Sequence, residues 1–108
     1  MILDGGQSPS GQQLLSPKTI ELMSKNHVGD LYQAPGYGFG LGFAVVDNIA
    51  DARAMGSAGE LSWSGAFCTY FFINPKEEMA AVLMTQISPY NGFYGDKLRQ
   101  MVYQTIME

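Results

Sequence analysis

Any chemistry in this chain has to start from the stretch Gly59-Glu60-Leu61-Ser62-Trp63-Ser64-Gly65-Ala66-Phe67-Cys68-Thr69-Tyr70-Phe71-Phe72-Ile73-Asn74-Pro75. A short strand pattern ends in Trp63-Ser64-Gly65, turns within a few small residues, and re-enters as an aromatic strand closed by Asn74-Pro75. Small residues between two strands let backbone N–H groups face a cleft with no side chain in the way. That makes the turn a candidate binding element. A nucleophile is harder to find. A nucleophile elbow needs glycines two residues either side of a serine, whereas Ser64 has Ser62 and Ala66 there, and Ser62 has Glu60 and Ser64. No serine has a lysine three residues later. A serine–histidine dyad would have to use His27, the only histidine, and its place near a helix end reads better as a cap on the helix dipole. Glu60, Glu77 and Glu78 are not paired at a spacing that implies acid–base work, and Glu77 and Glu78 sit beside a turn as solvated surface. Cys68 lies inside a strand pattern and reads as a small buried hydrophobe. Residues alone show half a site.

The elements that must position this stretch follow from caps and periodicity. Residues 1–13 open like the last turn of a helix, closed by Gly5-Gly6. Ser16 caps a helix with Pro17 at its first position, Ile20, Met23 and Leu22 on its buried side, and His27-Val28-Gly29 at its end. Glu21 and Lys25 are spaced for an i,i+4 pair. From Tyr37 to Asp47 the chain alternates: Tyr37, Phe39, Leu41, Phe43 and Val45 on one face, Gly38, Gly40, Gly42 and Ala44 on the other. Period two predicts a strand, and its glycine face predicts close approach by another layer. A phosphate-binding glycine loop would sit in a turn opening a helix, not inside an alternation. A polar loop over 47–58 leads to strands at Leu61–Trp63 and Cys68–Ile73, the second expected to be buried on both faces. The aromatic run Tyr70-Phe71-Phe72 reads as core. Asn74 to Glu78 is a turn and Met79 to Thr85 a continuous apolar strand. Tyr90, Phe93 and Tyr94 lie in an exposed loop. From Asp96 on, Leu98, Met101, Val102, Thr105 and Ile106 recur at helical spacing and predict a closing amphipathic helix. The sum is α+β: an antiparallel sheet with a helix returning onto one face.

Composition narrows the partners. At 108 residues and 46% apolar content the chain is the size of one packed unit. A net charge of −4, with six scattered Lys and Arg, argues against a nucleic-acid or anionic-membrane partner. One cysteine allows no internal disulfide, no Cys/His cluster has metal-ligand spacing, and neither a membrane span nor a signal peptide is expected.

Taken in order, several segments resemble one family. These are Ser16-Pro17-Lys18-Thr19-Ile20-Glu21-Leu22-Met23, Gly36-Tyr37-Gly38-Phe39-Gly40-Leu41-Gly42-Phe43, Gly59 through Pro75, Val82-Leu83-Met84-Thr85-Gln86, and the ending Met101-Val102-Tyr103-Gln104-Thr105-Ile106. Together they resemble the C-terminal part of serine hydrolases of the β-lactamase superfamily, on the class C β-lactamase and family VIII carboxylesterase branch. The resemblance implies ester or amide hydrolysis through an acyl-enzyme, with no cofactor and a small-molecule substrate. It also implies a nucleophile in an upstream Ser-x-x-Lys and a tyrosine in a Tyr-x-Asn, neither of which occurs here. The family's third motif matches Trp63-Ser64-Gly65 as a substrate-binding strand end. By that match the residue after it, Ala66, lends its backbone N–H to the oxyanion hole. Trp63 stands where β-lactamases carry a lysine, which points to esterase-like members. Residues 1–108 are then expected to be a single partial domain, inactive alone, that either joins a missing N-terminal segment or self-associates through an exposed sheet edge. The alternative is a non-catalytic interaction domain on the same scaffold.

Overall fold

Helix α1 (Pro17–Met23) starts where the Ser16 side chain accepts a hydrogen bond from Thr19 N–H, with proline in the first turn, as the sequence predicts. The structure is a computed structural model and describes residues 1–107. The helix is shorter than expected. It ends at Ser24, and the His27 ring reaches back to the Leu22 carbonyl (2.6 Å) while its backbone N–H bonds Phe39 O (2.9 Å), so the histidine ties the helix end to the sheet. Ile20 is buried but Leu22 is not. Lys18 and Lys25 both reach Glu21, at 2.7 and 2.9 Å, and these hydrogen bonds hold its exposed carboxyl at about 2.

The sheet has five antiparallel strands in chain order: β1 (Tyr37–Phe39), β2 (Ala44–Val46), β3 (Leu61–Ser64), β4 (Tyr70–Asn74) and β5 (Met79–Leu83). The alternation from Tyr37 to Asp47 is therefore two strands rather than one. The chain folds back over residues 40–43, with Gly40 N–H bonded to Phe43 O at 2.8 Å and Gly42 at φ 114°, a conformation that suits glycine. The predicted close approach on the glycine face is present. A Cβ on Gly38 would meet the Asn26 side chain, and one on Gly40 would run into the Met23 carbonyl oxygen at the end of α1. Gly40→Ala is expected to lower stability by about 1–3 kcal/mol, because backbone meets backbone there. Urea unfolding should show a lower midpoint at unchanged slope, and an unchanged midpoint would mean that the end of α1 yields freely.

Register assigns the faces. Tyr37, Ala44, Ser62, Ser64, Tyr70 and Phe72 share one side of the sheet, and Val45, Leu61, Trp63, Phe71 and Val82 the other. Helix α3 (Phe93–Tyr103) covers the first side. Its Tyr103 ring stacks on Phe72 (5.3 Å, 20°), and Gly95 brings it against the Tyr70 ring. The core is Ala44, Val45, Val46, Leu61 and Phe72 with Tyr103 and Ile20.

Three further expectations change. The 47–58 connection contains a short helix α2 (Ile49–Ala52), capped by the Asn48 side chain. Strand β5 lies at the sheet edge and is not buried as a continuous run, with Val82 65% exposed and Met84, just past its end, 80% exposed. Helix α3 begins three residues early, and its buried positions are Gly95, Arg99 and Tyr103, while Met101 is exposed. The helical period was legible, but its phase is set by a buried arginine that an apolar count treats as surface.

Candidate functional site

Strand β3 delivers Trp63 and Ser64 to its end, and the chain then turns through Gly65, Ala66, Phe67 and Cys68 into β4. Cys68 is not in a strand. It sits in the left-handed region at φ 65°, and its N–H bonds the Gly65 carbonyl (3.1 Å), while Gly65 N–H bonds Thr69 O (2.9 Å). The Gly65 carbonyl and the Ala66 N–H belong to one planar trans peptide and point in opposite directions. With the carbonyl held inside the turn, the Ala66 N–H is directed outward. Ala66 is exposed, and its N–H has no hydrogen-bond partner among the described residues.

The four predicted site residues, Trp63, Ser64, Gly65 and Ala66, are thus contiguous along one strand end and turn. Trp63 is 46% exposed and packs edge-on against Phe39 (5.3 Å, 85°), which in turn leans on Tyr32. The Ser64 hydroxyl is 3.2 Å from the Tyr90 hydroxyl, and no base reaches it. Two hollows meet at this strand end. One of about 340 Å³ is walled by Trp63, Gly65, Phe71 and Met84, and the other, of about 240 Å³, by Tyr32, Tyr37, Trp63, Tyr70 and Arg99. Ser64 lines both. Burial pushes the Tyr70 hydroxyl up to about 12, so it stays protonated near neutrality and can donate a hydrogen bond but not act as a base. A further hollow of about 460 Å³ lies elsewhere, between Asp30, Gly36 and Asp51, away from the turn. Among the described residues no group of three or more His, Cys, Asp or Glu is arranged to hold a metal ion.

Sequence reasoning missed the polar network behind the site. Glu60, read as an unpaired carboxylate, is fully buried and faces Arg99, itself 5% exposed, at 3.0 Å. The contact is off the hydrogen-bonding direction, so Glu60 Oε1 and Arg99 Nη2 meet as charges only. Tyr103 donates to the other Glu60 oxygen, and Asn74 Nδ2 donates to Tyr103 (2.7 Å) and Ser57 (3.2 Å). Arg99 also donates from Nε to Met55 O (2.6 Å) and from Nη1 to the Tyr37 hydroxyl (2.8 Å). Burial raises the Glu60 carboxyl, against the pull of Tyr103 and Arg99. Burial works to lower Arg99, but the Glu60 charge and the neighbouring tyrosines outweigh it and leave it raised. Tyr103 is raised, first by burial and then by its bond to Glu60. The network ties α3 to β1, β4 and the 55–60 connection. The available signal was Gly95, Arg99 and Tyr103 at i, i+4 and i+8, a helix face with no surface logic.

The chain is 30% identical over 100 residues to Protein Rv1367c of Mycobacterium tuberculosis (strain ATCC 25618 / H37Rv), covering 82% of this chain and 25% of that protein. It is 34% identical over 79 residues to Esterase EstB of Burkholderia gladioli, covering 70% of this chain and 20% of the esterase. Among solved structures, EstCE1, a hydrolase with promiscuous acyltransferase activity, superposes with a TM-score of 0.80 at 30% identity over 94% of this chain and 26% of its own. The simvastatin synthase LovD of Aspergillus terreus shares the fold at 18% identity, with a TM-score of 0.71 over 99% of this chain and 32% of LovD. The chain spans about a quarter of the length of the curated relatives. A family model described as Beta-lactamase matches residues 3–105, and the chain belongs to that family.

Proposed function

We propose that residues 1–108 are one partial domain forming the oxyanion-side wall of a serine hydrolase that cleaves esters or amides through an acyl-enzyme. The observation that carries this reading is the exposed Ala66 N–H, unpaired among the described residues and aimed outward by the Gly65–Cys68 turn, directly after the Trp63-Ser64-Gly65 strand end. When a serine attacks a carbonyl, charge develops on the oxygen, and a donor already in place stabilises it without reorganising. Trp63 and Ser64 flank the substrate. Trp63 offers an apolar face and no cation, which favours neutral acyl groups over a substrate carboxylate. Relatives named as an esterase and as a hydrolase with acyltransferase activity support ester chemistry over β-lactam hydrolysis. The nucleophile and its base come from residues outside this sequence, since no serine here has a lysine three positions on and Ser64 has no base.

Intact-mass analysis of the folded chain after fluorophosphonate treatment should show no adduct. Mixed with Esterase EstB from which the matched fifth has been removed, it should gain hydrolysis of a p-nitrophenyl ester, with any adduct on the added segment. An adduct on Ser64 of the isolated chain would overturn the assignment and make the chain self-sufficient.

A further inference from the structure

The turn that aims the Ala66 amide is braced from outside by the segment between β5 and α3. Phe67 O accepts two hydrogen bonds from it, from Thr85 Oγ1 (2.7 Å) and from Ile87 N–H (3.1 Å). Cys68 Sγ accepts from Asn91 N–H (3.2 Å), and its thiol faces Ile87 O at 3.5 Å. Cys68 is 3% exposed and holds a left-handed φ of 65°, a conformation that a residue with a Cβ keeps only where its surroundings impose it. Here they do. The left-handed Cys68 is also the residue whose N–H captures the Gly65 carbonyl, and that capture turns the Ala66 N–H outward. Released from the brace, Cys68 can relax, and the Gly65–Ala66 peptide is then free to rotate and withdraw the donor.

We infer that Thr85 and Cys68 are positioning residues for the oxyanion donor, and that segment 85–91 is the element that preorganises it. The inference rests on the proposed role of Ala66. Neither residue touches the reacting atoms; both act through the turn.

Two readouts separate the brace from the role it serves. In the full 108-residue chain labelled with 15N, Thr85→Val and Cys68→Ala are expected to lower the backbone order parameter of Ala66 from the rigid range toward flexible values, while Thr85→Ser and Cys68→Ser retain it. In the EstB-complemented protein the same two disruptive variants should lose kcat by about ten- to hundredfold at nearly unchanged KM, with the serine variants restoring it. An Ala66 amide that stays ordered in both disruptive variants overturns the brace, whatever the activity does. Loss of order with unchanged kcat upholds the brace and sinks the oxyanion role of Ala66. Equal losses from the serine variants would also overturn it, because they keep the hydrogen-bonding groups.

Discussion

Removing either member of the Glu60–Arg99 pair is expected to destabilise the fold by about 3–5 kcal/mol at neutral pH, since it strands a buried charge. The two losses should differ in their pH dependence. In Glu60→Leu the guanidinium left behind cannot shed its charge, so the cost persists across the acidic range. In Arg99→Leu the stranded group is a carboxyl that burial already holds above its ordinary 4.5, and losing the cation raises it further. With a folded-state pKa above the unfolded one, the folded protein binds more protons between the two values. Stability is therefore greatest below about 4.5 and is lost as pH rises through the folded pKa. Urea unfolding of Arg99→Leu from pH 4 to pH 8 should show stability falling with pH more steeply than in the parent chain. The double variant Glu60→Leu/Arg99→Leu should recover part of the loss and flatten the slope, as apolar replacement of a whole buried pair does elsewhere. A single variant with parent-like stability at pH 8 would show that the pair is not buried in solution.

What the sequence made legible was local. Ser16-Pro17 specified the start of α1, Asn74-Pro75 specified the β4–β5 turn, and the small residues after Trp63 specified the β3–β4 turn, because capping and turn chemistry are decided within a few residues. The 40–43 reversal escaped notice because alternating aromatic and glycine residues continue through it, and glycine serves a strand and a turn alike. The edge position of β5 and the phase of α3 depend on partners far along the chain. Arg99 is buried only because Glu60, Tyr37 and Met55 meet it across the sheet, which no window around residue 99 contains. The site divides the same way. The Trp63-Ser64-Gly65-Ala66 motif names the proposed site residues, whereas the direction of the Ala66 N–H follows from a left-handed Cys68 that alternation assigns to a strand.

The largest effect on activity is expected from Ala66→Pro in the EstB-complemented protein, a loss of about 10²–10³ in kcat with KM little changed. Proline removes the N–H and adds no polar group. Ala66 is the second residue of the Gly65–Cys68 turn, where a fixed φ near −65° is well tolerated, and its N–H has no bond within the fold to lose. The preceding Gly65 has no Cβ to clash with the ring, so the turn itself should survive. Stability should be close to the parent's, which separates this variant from one that merely unfolds the strand end. Ala66→Gly, which keeps the N–H, should retain most activity and serves as the control for small changes in the turn. Because a donor aimed at the developing charge acts mainly in the transition state, the loss belongs in kcat rather than in substrate binding. A proline variant with parent-like kcat would show that the oxyanion is stabilised elsewhere. The Trp63–Ala66 segment would then contribute shape to the cleft and no charge stabilisation.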